Sequence, residues 1–99
     1  MASRGYTAYL VLRYLTENRS DPNYSIGFTP NYLANHVNGI KTQTWQRMQK
    51  ILDDFEKVGN TEKLYDGTTK QSHYRITDKG VATYLRWRPV MDEWKEFDF

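Results

Sequence analysis

The densest run of hydrogen-bonding side chains in this 99-residue chain lies at positions 41 to 47, KTQTWQR. Arginine can form two parallel hydrogen bonds with guanine, and glutamine can do the same with adenine. Lysine and threonine suit phosphates or the thymine methyl group. Solvation of an ordinary polar helix face is the alternative explanation. The candidate DNA-binding residues of this run and the turn after it are Lys41, Thr42, Gln43, Thr44, Gln46, Arg47 and Lys50.

A second polar cluster, TTKQ at residues 68 to 71, lies between two stretches of strand-like composition. Hydroxyl and ammonium groups at the tip of a hairpin can contact the DNA backbone or the minor groove. The candidate DNA-binding residues here are Thr69, Lys70 and Gln71, with Lys70 as the first choice. His73 and Arg75 fall inside a predicted strand, where cross-strand packing or pairing explains them equally well.

Catalytic and metal-binding chemistry finds little support in the sequence. A carboxylate cluster lies at residues 53 to 56, but Lys57 follows it, and helical residues three or four apart form local ion pairs on a solvated face. His36 and His73 are the only histidines and have no partner at metal-ligand spacing, and cysteine is absent. We therefore predict no enzymatic activity, no catalytic residue, no metal site and no cofactor.

The charge is distributed unevenly along the chain. The net charge is +2, but residues 1–88 carry 13 basic and 8 acidic side chains, whereas residues 89–99 carry one basic and four acidic side chains. A basic body favours a polyanionic partner. No apolar run approaches the roughly 18 residues of a membrane span. We expect a soluble, cytoplasmic protein with no membrane partner and no small-molecule ligand.

The elements that position these residues follow from periodicity. Dense apolar residues predict a largely buried helix over residues 6–18, and YSIGF at 24–28 suggests a short strand. Thr29 and Pro30 start a second helix, which we expect to present Tyr32, Leu33 and Val37 inward and to end near residues 38–39. A third helix, capped by Thr42 or Thr44, carries one apolar stripe made of Trp45, Met48, Ile51, Leu52 and Phe55.

After Gly59 the pattern becomes extended. Residues 61–65 and 72–77 predict two strands around the turn signal DGTTKQ. A last helix then begins at Thr77, and we expect Val81, Tyr84 and Leu85 on its inner side and a kink or a split at Pro89. The predicted fold class is mainly α with a small β-hairpin wing.

The segment over residues 28–80 resembles the DNA-binding core of MarR-type and PadR-type transcriptional regulators, including small versions from archaea and from their viruses and plasmids. The matching points are YLANHVNGI, ILDDFEKVG and YRITDKG. The resemblance implies a winged helix-turn-helix whose third helix enters the major groove and whose terminal helices form a dimer. Such a dimer would set two recognition helices about 34 Å apart, which is one turn of DNA.

Aromatic residues are concentrated beyond the predicted hairpin, and a chain of this size has little interior left for them. An exposed apolar patch of this kind marks an association surface. We predict a single winged-helix domain over residues 1–99, with residues 78–99 as a dimerisation segment. The predicted interface residues are Tyr6, Tyr9, Arg13, Trp87, Met91, Trp94 and Phe97. The alternative is a tail that folds back on the first helix of its own chain.

These expectations together predict a sequence-specific double-stranded DNA-binding protein that acts as a homodimeric transcriptional regulator. Its partners would be duplex DNA and a second copy of itself. A protein-interaction module without DNA recognition, built on the same scaffold, is the alternative, since one scaffold hosts many functions.

Overall fold

The computed structural model describes residues 4–22, 25–37 and 44–94. Four helices and two strands follow one another in the predicted order. They are α1 (Arg4–Glu17), α2 (Pro30–His36), α3 (Trp45–Lys57), β1 (Thr61–Asp66), β2 (Gln71–Ile76) and α4 (Asp78–Trp94). Among these residues, no helix is long and apolar enough to cross a membrane.

Three helices begin at a threonine that accepts a backbone hydrogen bond. Thr29 Oγ1 accepts from the N–H of Tyr32 at 3.1 Å, Thr44 Oγ1 accepts from the N–H of Arg47 at 3.2 Å, and Thr77 Oγ1 accepts from the N–H of Gly80 at 3.1 Å. Each bond satisfies a donor that has no partner inside its helix. The predicted starts of α2 and α4 are therefore confirmed, and Thr44 is the cap of α3.

The second helix is shorter than predicted. It ends at His36, and Val37 has extended backbone angles while its N–H still bonds to the carbonyl of Leu33. Leu33 and Val37 are buried, as the apolar pattern predicts. The predicted end at residues 38–39 lies outside the described residues.

One hydrophobic core joins all four helices and the hairpin. Its fully buried side chains are Val11, Leu15, Leu33, Met48, Leu52 and Tyr74. Two predicted core residues are wrong, because Trp45 and Leu85 are both exposed. Trp45 is the first residue of α3, and Leu85 is turned by about 100° from the buried Tyr84 on α4.

The two strands pair antiparallel, with Thr61 opposite Ile76 and Asp66 opposite Gln71, so residues 67–70 form the loop. The predicted strand at residues 24–28 is reduced to one bridge, in which Phe28 and Tyr74 exchange two backbone bonds of 2.8 Å. Gly27 interrupts the extended backbone that a longer strand would need, because its φ is +97°. A Cβ at this position would lie 2.3 Å from the carbonyl oxygen of Tyr74. Only glycine fits this approach.

The last helix packs along the first. Tyr9 of α1 stacks on Tyr84 with ring centroids 5.6 Å apart, and its hydroxyl donates to Asp92 Oδ1 at 2.9 Å. Tyr84 and Met91 are buried on either side of Pro89. The helix is therefore held to α1 at both ends of this segment and continues through Pro89, so the predicted split is wrong, while the kink stays a prediction.

Candidate nucleic-acid interface

The first two turns of α3 present a polar surface. Gln46, Arg47 and Lys50 are exposed, whereas Met48 and Leu52 on the opposite side are fully buried. The Thr44 cap fixes the backbone of this first turn. Three of the predicted DNA-binding side chains thus lie together at the N-terminal end of one helix, held by the apolar side of the same helix.

Ion pairs on α3 remain weak enough to be exchanged. Lys50 Nζ lies 3.8 Å from Asp54 Oδ2, and Lys57 Nζ lies 4.0 Å from Asp54 Oδ1. All three side chains are substantially exposed, so each pair contributes only about 0.2–1 kcal/mol. Lys50 can therefore leave Asp54 for a phosphate at little cost. Asp54 thus has two lysine partners on its own helix, in agreement with a solvated face with local ion pairs.

The hairpin tip is fully exposed from residue 67 to residue 71. The backbone N–H of Thr68 donates to Asp66 Oδ1 at 2.9 Å, and this bond lowers the pKa of the Asp66 carboxyl below its ordinary value. The same bond restrains the backbone of the loop. Of the three predicted wing residues, Thr69 and Lys70 therefore lie on a short turn, and Gln71 is the first residue of β2.

Lys70 has an unusual backbone. Its φ is +57°, and within the described residues it is the one non-glycine residue with a positive φ. The left-handed conformation costs an ordinary side chain about 1 to 2 kcal/mol relative to the right-handed one. Glycine or asparagine would occupy this position at lower cost.

His73 and Arg75, the two residues left open by the sequence, both have structural partners. Arg75 pairs across the hairpin with Glu62, and its Nη1 donates to the carbonyl of Ser25 at 3.2 Å. His73 Nδ1 lies 3.3 Å from the carbonyl oxygen of Gly27. His73 Nε2 is buried and has no hydrogen-bond partner. Both residues fasten the 25–28 segment to β2.

A polar contact joins α3 to the hairpin. The hydroxyl of Tyr74 on β2 donates to Asp53 Oδ1 at 2.6 Å, and Lys63 Nζ on β1 lies 3.6 Å from the same oxygen. Lys63 also lies 5.5 Å from the centre of the Tyr74 ring. Burial and the Asp53 carboxylate both raise the pKa of the Tyr74 phenol above its ordinary value, so it keeps its proton at pH values where a free tyrosine would lose it. This contact connects the wing to α3.

Trp45 lies in a different environment from the one predicted. The apolar stripe of α3 assigned it to the core, but 49% of the residue is exposed, immediately before Gln46 and Arg47. Its place directly after the capping Thr44 was the available signal, because the first residue of a helix has no preceding turn to cover it. Lys41, Thr42 and Gln43, the other predicted contacts of this region, lie outside the described residues.

The predicted dimer residues have different environments. Tyr9 and Met91 are buried within the single chain, and Tyr6 is half-buried. Arg13 Nε lies 3.7 Å from Glu17 Oε1 on the same helix. Trp87 is 49% exposed. The side chain of Trp94 and the whole of Phe97 lie outside the described residues. Among the described side chains of α4, the large apolar ones that are exposed are Leu85, Trp87 and Val90.

Metal chemistry has no site in the described part of the chain, where no three histidine, aspartate or glutamate side chains form a group that could hold an ion. The small cleft at the end of α1 has a volume of about 50 Å³ and is lined by Arg19, Arg75 and apolar residues including Leu15 and Phe28. Arg75 is already bonded there to Ser25, as described above.

Solved structures of bacterial and archaeal proteins share this architecture. MepR, a transcription regulator of the Staphylococcus aureus multidrug efflux pump MepA, aligns with a TM-score of 0.65 and 18% identity over 91% of this chain and 59% of its own. AF1382 from Archaeoglobus fulgidus aligns with a TM-score of 0.66 and 21% identity over 88% and 86%. A transcriptional regulator from Clostridium thermocellum, Cth-833, aligns with a TM-score of 0.64 and 19% identity over 100% and 99%.

At these identities the likeness establishes the fold. Four helices and a two-stranded antiparallel hairpin are arranged as in winged-helix regulators, which confirms the predicted fold class. The chain spans 59% of the length of MepR. The sequence matches no protein-family model and no curated protein sequence.

Proposed function

We propose that this chain is a sequence-specific double-stranded DNA-binding protein and works as a homodimeric transcriptional regulator. The observation that carries the proposal is the exposed group Gln46, Arg47 and Lys50 at the capped start of α3, on a helix tied through Asp53 and Tyr74 to a hairpin with an exposed lysine at its tip. The regulators among the similar structures support the same class of function.

In this proposal α3 is the recognition helix. The major groove admits one α-helix, and the N-terminal turns of that helix then face base edges. Arg47 would pair with guanine and Gln46 with adenine, while Lys50, one turn further, would contact a phosphate. Lys41, Thr42, Gln43 and Thr44 remain predicted contacts of the same end.

The wing would anchor the complex without choosing its sequence. Lys70 keeps a long cationic side chain at a position where glycine would be less strained, and strain of this kind often accompanies a functional side chain. We infer that Lys70 contacts the backbone or the minor groove, flanked by Thr69 and Gln71. The contact from α3 to β2 would hold this lysine at a fixed distance from the groove.

The dimer is proposed to form through residues 78–99, with α1 beside them, in one winged-helix domain over residues 1–99. The exposed Trp87 and Val90 on α4 support an association surface. A second candidate function, protein interaction without DNA, draws on the same surface. Assignment to the MarR or PadR type remains a prediction.

Fluorescence anisotropy with a mixed-sequence duplex and with a site selected from a randomised pool tests the DNA proposal. Affinity should fall linearly with salt on a logarithmic scale. Arg47→Ala should cost about 1–3 kcal/mol on the selected site and relax base preference, whereas Lys70→Ala should weaken all sequences alike. Lys57→Ala, which removes one positive charge from the exposed C-terminal end of α3, is the matched control and should retain affinity.

The absence of duplex binding at low salt would refute the proposal and favour the protein-interaction alternative. Sedimentation equilibrium tests the dimer separately. The parent should sediment as a dimer and Trp87→Glu as a monomer, because a charge in an apolar interface is poorly compensated. A parent that stays monomeric at high micromolar concentration would contradict the homodimer.

A further inference from the structure

The indole of Trp45 is exposed at the start of α3. Its exposed fraction is 49%, whereas Met48 and Leu52, from the same apolar stripe, are completely buried. Exposure of a large apolar surface to water is unfavourable, and covering that surface with a partner lowers the free energy. Contact between this aromatic ring and an apolar group of a partner would therefore be favourable.

The position of Trp45 places it at the leading end of the proposed recognition helix. Trp45 is the first residue of α3, and Gln46 follows it about 100° around the helix axis. Side chains on a helix lean toward its N-terminus, so the ring covers the end at which the chain enters α3. If α3 lies in the major groove, this end faces the floor of the groove.

We propose that Trp45 contacts the C5-methyl group of thymine and so makes the chain prefer thymine at one position of each half-site. This inference rests on the proposed DNA-binding function. Among the four ordinary bases, thymine alone presents an apolar group in the major groove. Gln46 and Arg47 supply hydrogen bonds to neighbouring bases, and Trp45 adds the apolar contact that they cannot make. Trp45 is thus a specificity-determining residue beside the polar ones.

Replacing thymine by deoxyuridine removes the methyl group and leaves the base-pairing pattern unchanged. Each thymine of the selected site is replaced in turn, and affinity is measured by anisotropy at one salt concentration. Loss of one buried methyl should weaken parent binding about fourfold at the contacted position. The other thymines should show no change. Trp45→Ala should bind the thymine and deoxyuridine sites equally, and both more weakly than the parent binds thymine.

Val58→Ala is the control, because Val58 is exposed to a similar extent, 52%, but lies at the C-terminal end of α3. This variant should keep the fourfold discrimination of the parent. Parent binding that is unaffected by deoxyuridine at every position overturns the inference, as does a selected site without thymine. Discrimination that persists in Trp45→Ala overturns it as well.

The measurement on the parent needs no substitution, so poor folding of Trp45→Ala cannot hide the result. Trp45→Leu, which keeps an apolar group, should retain part of the discrimination in a folded protein. The DNA-binding function and the role of Trp45 are contradicted by different results. A parent that binds no duplex refutes DNA binding itself, whereas salt-dependent binding without methyl discrimination refutes only the role of Trp45.

Discussion

Replacing Tyr74 by Phe removes one hydroxyl from the contact between α3 and the hairpin. The phenol is completely buried, and it donates to a carboxylate oxygen of Asp53 at 2.6 Å. Hydrogen bonds to charged groups contribute about 1.5–3 kcal/mol to stability. The Asp53 side chain is 37% exposed, so water can partly replace the lost donor. We therefore expect a loss of about 1–2 kcal/mol in the free energy of unfolding.

Urea unfolding followed by circular dichroism measures this loss. Tyr65→Phe is the matched control, because Tyr65 is on the neighbouring strand and 67% exposed, and it should change stability by less than about 0.5 kcal/mol. A double-mutant cycle with Asp53→Ala isolates the pair. Asp53→Ala removes the ion pair with Lys63 both in the parent and in Tyr74→Phe, so the contribution of that pair cancels from the coupling energy.

The expected coupling energy is about 1 kcal/mol or more, as for residues in direct contact. A coupling near zero, or equal losses for Tyr74→Phe and Tyr65→Phe, would show that the hydroxyl does not join the helix to the wing. The DNA-binding assay adds a second readout. If the contact sets the position of the wing, Tyr74→Phe should also reduce the ratio of specific to mixed-sequence affinity.

Three further predictions concern the fold. Gly27→Ala should lower the free energy of unfolding by about 3 kcal/mol, because its Cβ would meet the carbonyl of Tyr74, while Gly67→Ala, with nothing within 4 Å, should change it little in the same urea titration. Thr44→Ala should cost about 1 kcal/mol by removing the cap of α3, and restoration by Ser would confirm the cause. Burial and a nearby aspartate raise the pKa of both the Tyr9 and the Tyr74 phenol. The unfolded chain loses these protons near pH 10 and the folded chain does not, so stability is intact below about pH 10 and should then fall by about 1.4 kcal/mol per pH unit per tyrosine. Urea midpoints that stay constant above that pH would contradict the burial of both phenols.

Local signals in the sequence predict most elements of this fold. Thr29, Thr77 and the turn at residues 66–71 mark boundaries through bonds within a few residues, and the structure has helices and strands at those boundaries. The buried stripe of α3 at Met48 and Leu52 likewise follows from the helical period. These features depend on the residues beside them along the chain.

The errors concern contacts between distant parts of the chain. Trp45 fits the apolar period of α3, but its burial depends on whether another element covers the first turn, which periodicity does not contain. The bond from Tyr74 to Asp53 spans 21 positions and needs the register of the hairpin to be known. Pro89 illustrates the opposite case, because packing on both sides of it maintains a helix that local preference would interrupt.

The packing of α1 against α4 has a consequence for folding during translation. Tyr9 and its hydrogen-bond partner Asp92 are 83 positions apart, so α1 leaves the ribosome well before the helix on which it packs. At about 5–20 residues per second, roughly 4–17 s of translation separate the two residues. During that interval the side of α1 that carries Tyr9 has no α4 to cover it. The packing of α1 on α4 must therefore wait until α4 has been synthesised, and the nascent chain exposes this side of α1 to chaperones until then.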